Sequence, residues 1–273
     1  MTNDPAGNGA PTSTDGASPD PAAPRRPSTG RRLFNGAVEI VIIFVGALII
    51  SAALRAWVGQ MFIIPSGSME NTLKINDRVA VSKLTHFKRG DIVVFKDPGN
   101  WLDMPPQDRT GYKKVLEDIG LLPSTASNHL IKRVIGMPGD DVKCCDVQGR
   151  ITVNGVPLNE TSYLYSANGV QVKPAAVPFE VVVPAGRIFV MGDHRDASGD
   201  SRCHLADISN DGQPQGADAF VPISDVVGPA VAIVAPLDRI RLLTVPSTFK
   251  NIPNPSGSPP QEATIIPKGV GCS

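Results

Sequence analysis

Three short segments of the sequence carry side chains that could together break a peptide bond. The first, Pro65-Ser66-Gly67-Ser68-Met69, places two hydroxyls on either side of a glycine. Because proline restricts φ and glycine lets backbones approach closely, this turn could present a serine hydroxyl and a backbone N–H to one carbonyl. Ser-Gly-Ser is more often an ordinary turn, so this segment alone is weak evidence.

The second segment is a lysine inside a β-branched run. Strand alternation would put Lys132 and Val134 on one face, with Ile131 and Arg133 on the other. In a dry apolar interior, desolvation would lower the pKa of Lys132, and the neutral amine could act as general base for a serine. The alternative is a lysine on an edge strand whose ammonium reaches solvent.

The third segment, GDHRDASGDSR, begins at Gly192 and follows a predicted strand. Ser198 could donate to an amine or orient it, and Asp200 could form an ion pair with Arg202. His194 directly follows an aspartate, which suggests a Ser-His-Asp triad, but neighbouring residues on an extended segment point apart. A calcium loop is the other alternative, and the acidic spacing does not fit an EF-hand.

The elements that must position these segments are mainly strands. The chain has 273 residues, is 41% hydrophobic, and carries 26 basic and 26 acidic side chains. Its zero formal charge gives no reason to expect a nucleic-acid partner, and its apolar content suffices for one core of about 150–200 residues. Short β-rich runs at 77–84, 91–96, 129–136, 151–155, 179–183, 187–192 and 225–234 predict strands, with a hairpin at Asn154-Gly155. The fold class is therefore expected to be mostly β.

One apolar run near the N-terminus predicts a single membrane-spanning helix at 34–57. Residues 37–54 are apolar at 15 of 18 positions, and a helix of that length measures about 27 Å, close to a thin bilayer. A signal sequence that is later removed and a buried soluble helix are the alternatives. Four arginines precede the run and one follows closely, so the N-terminus is expected in the cytoplasm and the rest outside.

The remaining boundaries follow from composition. Residues 1–33 are rich in Pro, Gly, Ser, Thr and Ala and are expected to form a disordered cytoplasmic tail. Residues 58–246 would form the extracytoplasmic domain, with 97–128 as an insertion. Residues 247–273 are rich in Pro, Ser and Gly and are expected to form a flexible C-terminal tail.

Four motifs occur in the order and context of one enzyme family. They are PSGSM (65–69), RGDIVVF (89–95), IKRVIGMPGD (131–140) and GDHRDASGDSR (192–202). Together with the preceding apolar helix they resemble the bacterial type I signal peptidases, in a single-span form. The resemblance covers roughly residues 60–236, and its specificity comes from the agreement of four separate motifs.

This resemblance implies a signal-peptidase-type catalytic β-fold, shared with self-cleaving repressors, behind one transmembrane helix. It implies that Ser68 is the nucleophile and Lys132 its neutral general base. The Ser66 hydroxyl and the Ser68 N–H would form the oxyanion hole. Further roles are implied for Ser198, which would orient Lys132, for Gly192, which would pack near the lysine, and for Asp200 and Arg202, which would form a structural ion pair. Small apolar substrate pockets are implied at Phe62, Ile64, Pro65, Met69, Leu73 and Ile131.

The implied reaction is removal of N-terminal signal peptides from exported preproteins after small residues, as in Ala-x-Ala. No metal and no cofactor are expected. The expected partners are signal-peptide-bearing preproteins and the lipid bilayer, with no nucleic acid, and the protein is expected to be a monomer near the secretion machinery. The expected location is the plasma membrane, single-pass, with the catalytic domain extracytoplasmic.

Two departures from the family pattern bear on the site. His194 and Ala197 stand where the family more usually has Asn. Cys203 directly follows the last motif, and Cys144-Cys145 follow the lysine strand. In an oxidising exterior one of this pair, Cys144 or Cys145, could form a disulfide with Cys203 and join the two catalytic loops, with free thiols as the alternative. Adjacent cysteines seldom bond to each other.

Two other functions compete with this interpretation. One is a different Ser/Lys protease, such as a self-cleaving repressor, against which the apolar helix and the absence of a DNA-binding motif argue. The other is a membrane-tethered β-rich binding module without activity. Against it, every position that the chemistry requires is filled. Separate substitution of Ser68 and Lys132 distinguishes an enzyme from such a scaffold.

Overall fold

A computed structural model describes most of the chain beyond its N-terminal segment. The described residues are 29–57, 59–99, 101–102, 111, 128–208, 212–267 and 272. The chain divides into two compact units, residues 1–46 and 47–273. Residues 1–28 of the tail expected at 1–33 and most of the expected insertion lie outside the described residues, whereas residues 29–33 belong to a helix and not to a disordered tail.

One long helix, α1, spans Thr29–Trp57. Within it, Phe34–Ser51 is long and apolar enough to cross a membrane by length and composition. Its large apolar side chains are exposed, among them Phe34, Ile40 and Phe44.

The rest of the described chain is built from strands and short 3-10 turns. The strands are β1 (Gly59–Ile63), β2 (Arg78–Ser82), β3 (Ile92–Lys96), β4 (His129–Gly136), β5 (Asp141–Cys144), β6 (Ile151–Val153), β7 (Val156–Pro157), β8 (Ser166–Ala167), β9 (Val170–Gln171), β10 (Phe179–Val182), β11 (Arg187–Met191), β12 (Val221–Pro222), β13 (Val226–Ala235), β14 (Arg241–Leu242) and β15 (Thr264–Ile266). All seven predicted strands are present, so the predicted mostly-β fold is confirmed.

The strands form two main antiparallel sheets and a small ribbon. The larger sheet has the order β1-β2-β13-β3-β4-β11-β12, with β14 paired to β13. The second has the order β15-β10-β5-β6-β7, and β8 pairs with β9. Strand β4 therefore lies between β3 and β11 inside the larger sheet, where side chains on both faces can be covered.

The predicted hairpin at Asn154-Gly155 is confirmed. Val153 pairs with Val156 across a two-residue loop. Both loop residues have positive φ, 50° at Asn154 and 77° at Gly155. Asn and Gly tolerate that conformation, and such a turn matches the twist of the strands it joins.

Strand β4 contributes to all three apolar clusters of the domain. Ile131 packs in the cluster of β1, β2 and β13, Val134 in a cluster with β3, β11 and β12, and Ile135 in the cluster of the second sheet. Because protein cores are close-packed, a strand held in three clusters has little freedom to shift. The backbone of β4 at Lys132, which lies between Ile131 and Val134, is therefore rigidly placed.

The expectation of a flexible tail from residue 247 is wrong for the part that the structure describes. Phe249, Ile252 and Ile265 are buried in the core cluster of the second sheet. Strand β15 pairs antiparallel with β10, with Val181 opposite Ile265. The segment is rich in Pro and Ser, but its few apolar residues are spaced so that each reaches the core, and their burial offsets the cost of ordering the chain.

Candidate active site

The turn after β1 presents Ser68. Ser66 is extended, with φ −134° and ψ 161°, and a 3-10 turn follows at Gly67–Met69. The Ser66 side chain makes no capping hydrogen bond to this turn, so its hydroxyl is available to a neighbour. Ser68 lies in the first turn, where backbone N–H groups have no acceptor within the helix. Met69 is fully buried and anchors the turn in the core.

Strand β4 brings Lys132 to this turn. Its neighbour on β3 is the buried Val93, and the lysine side chain is buried in turn, with 3% of its surface exposed. The Lys132 Nζ lies 2.8 Å from the Ser68 Oγ. That is hydrogen-bond distance, the reach a base needs to accept the proton of a nucleophilic hydroxyl.

Burial changes the charge state of this lysine. It is the largest influence on the Lys132 amine and lowers its pKa from 10.5 to about 8. The carboxylates of Asp200 and Asp193 oppose this by favouring the ammonium, and the Arg202 guanidinium adds to the lowering. Desolvation exceeds the attraction of the two carboxylates, so an appreciable fraction of the amine is neutral at mildly alkaline pH.

A second hydroxyl lies beside that of Ser68. The Ser66 Oγ lies 3.4 Å from the Ser68 Oγ. Together with the N–H of Ser68, this places two donors on the same turn. Donors arranged in this way can stabilise negative charge that develops on a carbonyl oxygen under attack by Ser68.

The segment after β11 packs behind the pair of Ser68 and Lys132. Antiparallel pairing sets Met191 opposite Arg133, so the chain from Gly192 leaves the sheet beside Lys132. A Cβ on Gly192 would lie 2.5 Å from the Ser68 carbonyl oxygen and closer still to the Ser198 hydroxyl. Only glycine fits between these two segments.

The Asp200 carboxylate organises this segment. Its Oδ2 accepts from the Gly192 N–H at 2.9 Å, the Ser198 hydroxyl at 2.8 Å and the Arg202 Nη2 at 2.9 Å, and its Oδ1 accepts from the Arg202 Nε at 2.9 Å. Burial alone would raise the pKa of Asp200, but the Arg202 guanidinium and these hydrogen bonds hold it below its usual value. The buried ion pair expected between Asp200 and Arg202 is thus present in the structure.

Ser198 does not form the hydrogen bond to the lysine that was expected. Its hydroxyl donates to Asp200, and among the residues that the structure describes no hydrogen bond joins it to Lys132. The single proton of the Ser198 hydroxyl is donated to the Asp200 carboxylate, which is a strong charged acceptor. Because the Asp200 carboxylate favours the charged form of Lys132, Ser198 can influence the lysine through Asp200.

Comparison with known proteins agrees with this geometry. The family model "Signal peptidase, peptidase S26" matches residues 37–235. The chain belongs to this signal peptidase family. The fold and enzyme class expected from the four motifs, a signal-peptidase-type serine endopeptidase, are thereby confirmed.

Several proteins of bacteria are similar to it. Signal peptidase I of Mycobacterium tuberculosis is 34% identical over 229 residues, which cover 74% of this chain and 73% of that protein. Signal peptidase I of Leptolyngbya laminosa is 30% identical over 247 residues, which cover 87% of this chain and all of that protein. A crystal structure of a signal peptidase I from Enterococcus faecalis matches 53% of this chain and 97% of its own, at 22% identity and a TM-score of 0.29.

The residues expected to line substrate pockets in this signal peptidase are mostly buried together. One apolar cluster contains Phe62, Ile64, Met69, Leu73 and Ile131. Pro65, at the start of the nucleophile turn, is exposed. Met69 belongs both to this cluster and to the turn that carries Ser68, so the turn packs on the cluster.

A buried ion pair that the sequence did not predict lies between the segments of Lys132 and Gly192 and is bound by Thr72, which follows the turn of Ser68. Arg133 binds Asp193 through Nε at 2.8 Å and Nη2 at 2.6 Å. The Thr72 hydroxyl donates to the same carboxylate. Arg133 follows the lysine, Asp193 follows Gly192 and Thr72 lies four residues after Ser68. Arg133 and Asp193 directly follow predicted site residues, and this adjacency was the signal that the sequence offered. Their pairing could not be predicted because it depends on the strand order.

A second buried cluster supports the same segment. The Arg195 guanidinium binds the Glu160 carboxylate, with Nη2 to Oε1 at 2.5 Å, and the Tyr163 hydroxyl donates to Glu160. Burial raises the pKa of Tyr163 well above its usual value, and Glu160 adds to this effect. Arg133 stacks over the Tyr163 ring at 4.4 Å, which joins this cluster to the first.

An open polar cavity lies elsewhere. Arg133, Tyr163 and Arg241 line part of it, and neither Ser68 nor Lys132 belongs to its lining. The guanidinium of Arg133 is already bound to Asp193 and to the Gly90 carbonyl. These bonds hold the Arg133 side chain in place and occupy its donors, so its role at this cavity is structural.

The expected disulfide from Cys144 or Cys145 to Cys203 is wrong. Cys203 bonds instead to Cys272, 69 residues later, and Cys144 is joined to Cys145. The reason is that the C-terminal segment is folded, which was not expected. Strand β15 pairs with β10, and Cys272 beyond it reaches Cys203. The Cys203 Sγ also lies 3.5 Å from the Ser198 carbonyl oxygen.

Proposed function

We propose that this protein removes N-terminal signal peptides from exported preproteins, with Ser68 as nucleophile and Lys132 as general base. The observation that carries the proposal is the 2.8 Å separation of Lys132 Nζ from Ser68 Oγ in a buried site. The signal peptidases of M. tuberculosis and L. laminosa, similar over most of this chain, support the substrate class.

The chemistry follows from acyl transfer. Ser68 Oγ attacks the carbonyl carbon of the scissile peptide while Lys132 takes its proton, and the oxyanion receives hydrogen bonds from the Ser68 N–H and the Ser66 hydroxyl. Lys132 then returns the proton to the leaving amine, which departs as the new N-terminus of the mature protein. Water, deprotonated by Lys132, then attacks the acyl-enzyme; the ester bond to Ser68 Oγ breaks, Lys132 returns the proton to that oxygen, and the signal peptide leaves with a new C-terminal carboxyl group.

The supporting groups hold this geometry. Asp200, with Arg202 and Ser198, secures the Gly192 segment against the nucleophile turn. The negative charge of Asp200 is balanced by Arg202, so that burial can dominate the charge state of Lys132. Met69 fixes the turn to an apolar cluster with Phe62 and Ile64, and the proposal includes cleavage after small side chains of the Ala-x-Ala type.

Membrane anchoring by α1 is part of the proposal. The apolar stretch Phe34–Ser51 has the length and composition of a membrane span. Four arginines lie closely before this stretch and one, Arg55, lies closely after it, which favours a cytoplasmic N-terminus and a catalytic domain outside the plasma membrane. Monomeric action beside the secretion machinery completes the expectation.

One experiment tests the proposed function. The full chain, purified in detergent, is incubated with a preprotein whose signal peptide ends in Ala-x-Ala, and the new N-terminus is sequenced. The wild type should cut after the second Ala, and Ser68→Ala and Lys132→Ala should each abolish cutting while keeping the thermal unfolding midpoint. Cleavage retained in either variant would refute the dyad, and an uncut preprotein with the wild type would refute the substrate class.

A further inference from the structure

His194 contacts the nucleophile turn from the opposite segment. Its backbone N–H donates to the Ser68 carbonyl at 3.0 Å. Its ring Nδ1 lies 3.3 Å from the Gly67 carbonyl oxygen. A carbonyl oxygen only accepts hydrogen bonds, so in this contact Nδ1 carries the proton and donates it.

This contact acts on the peptide group that matters most for the oxyanion. The Gly67 carbonyl and the Ser68 N–H belong to one planar peptide unit and point in opposite directions. Fixing the carbonyl oxygen therefore fixes the direction of the N–H. The Gly67 oxygen also accepts from the Glu70 N–H at 2.9 Å, so two donors hold it, and a polarised carbonyl makes the N–H of the same unit a stronger donor.

The ring itself is held in place on several sides. It stacks on Tyr165, with centroids 3.7 Å apart and planes inclined by 29°. The Glu70 Oε2 lies 3.4 Å from Nδ1, and the Asp196 Oδ1 lies 3.3 Å from Nε2. Such a ring can keep Nδ1 aimed at the Gly67 carbonyl, because stacking and flanking acceptors restrict its rotation.

We propose that His194 is a positioning residue that aims the Ser68 N–H at the developing oxyanion through the Gly67 carbonyl. It touches no reacting atom in this arrangement and acts through the Gly67–Ser68 peptide unit. The inference rests on the proposed function, because it assigns a role within the oxyanion hole of that same reaction. It predicts an effect on the chemical step and little effect on substrate binding.

Three substitutions separate this role from simple packing. In His194→Asn the amide nitrogen lies about where Nδ1 was, so it can still donate to Gly67. In His194→Phe the ring can still stack on Tyr165, but the donor is lost. In His194→Gln the amide nitrogen reaches toward the position of Nε2, so a polar side chain is kept with its donor in the wrong place.

The test measures kcat and KM for an Ala-x-Ala preprotein with the full chain in detergent. His194→Phe and His194→Gln should lower kcat about tenfold with KM within about twofold, a smaller loss than direct removal of an oxyanion donor, and His194→Asn should stay within about threefold of wild type. An unchanged kcat in His194→Phe, or an equal loss in His194→Asn, would overturn the proposal. If His194→Phe fails to fold, the comparison of Gln with Asn decides in the same way.

Failure of this inference is distinguishable from failure of the proposed function. If the wild type cleaves the preprotein and Ser68→Ala does not, the reaction stands whatever the His194 variants do. If the wild type leaves the preprotein uncut, the proposed function itself fails. A rise in KM with unchanged kcat would assign His194 to substrate binding and would also overturn the positioning role.

Discussion

The hydroxyl of Ser198 lies 2.8 Å from the Asp200 carboxylate and donates to it, although Lys132 was its expected partner. Asp200 in turn is the larger of the two carboxylate influences that favour the charged form of Lys132. The charge state of the lysine is therefore a balance between burial, which lowers its pKa, and a carboxylate that Ser198 and Arg202 hold in place. This balance can be measured.

The pH dependence of cleavage should report the titration of Lys132. Only the neutral amine can accept the Ser68 proton, so activity rises as pH increases through the pKa of Lys132, which is about 8. We expect kcat/KM to rise with pH along an acid limb with an apparent pKa near 8. A limb near 10.5, the value of an unperturbed lysine, would contradict the dominance of burial.

Substitution of Asp200 should move that limb and also weaken the fold. Asp200→Asn removes a negative charge that raises the pKa of Lys132 and leaves the Arg202 charge that lowers it, so the acid limb should shift to lower pH. The same change leaves a buried guanidinium without its ion pair, which should cost about 3–5 kcal/mol of unfolding free energy. Urea unfolding and the pH–rate profile measure the two effects.

A matched control is available for the stability effect. The Lys143–Glu180 pair also joins opposite charges, at 2.8 Å, but it lies at the surface. Solvent screens such pairs, so Glu180→Gln should leave unfolding nearly unchanged. Equal losses in both variants would mean that burial of the Asp200–Arg202 pair does not matter.

Much of the site could be predicted because its residues have distinctive chemistry in local patterns. A lysine inside the β-branched run of β4 and two hydroxyls around Gly67 are visible in a few residues each, and strand alternation follows from the same runs. The Ser68–Lys132 proximity could be expected only through the resemblance, since the two residues are 64 positions apart.

The elements that were not predicted depend on long-range pairing. Strand β15 is three residues long, and its pairing with β10 defines it as a strand. Glu160 pairs with Arg195, 35 positions away, and Cys203 bonds to Cys272, 69 positions away. No local periodicity identifies such partners. Strand β1 was missed for a related reason, because its five residues alternate weakly and pair only with β2.

Addition of one carbon at Gly192 should inactivate the enzyme. The Cβ of Gly192→Ala would lie 2.5 Å from the Ser68 carbonyl oxygen, so the nucleophile turn and the Ser198 segment must move apart. Small displacements of reacting groups can cost about a hundredfold in rate, and we expect kcat to fall by at least that order. Gly199→Ala is the control, since nothing lies within 4 Å of its Cβ, and wild-type activity in both variants would contradict the close packing at Gly192.

The C-terminal disulfide should stabilise the domain more than the adjacent pair does. Cys203–Cys272 closes a long loop, whereas Cys144–Cys145 closes none, and a cross-link stabilises mainly by restricting the unfolded chain between its ends. Cys272→Ser should therefore cost about 2–4 kcal/mol in urea unfolding of the full chain under non-reducing conditions. The double change Cys144→Ser with Cys145→Ser should cost much less.

The same disulfide makes a direct chemical prediction. A non-reduced proteolytic digest of the wild type should contain a peptide that links Cys203 to Cys272, and mass spectrometry should lose it on reduction. Cys272→Ser should lower the free energy of unfolding but change kcat little. Cys203 contacts the Ser198 carbonyl, and Asp200 and Arg202 keep their own hydrogen bonds to the catalytic segment. A linked peptide that joins Cys145 to Cys203 would instead show that the C-terminal segment is held by strand pairing alone.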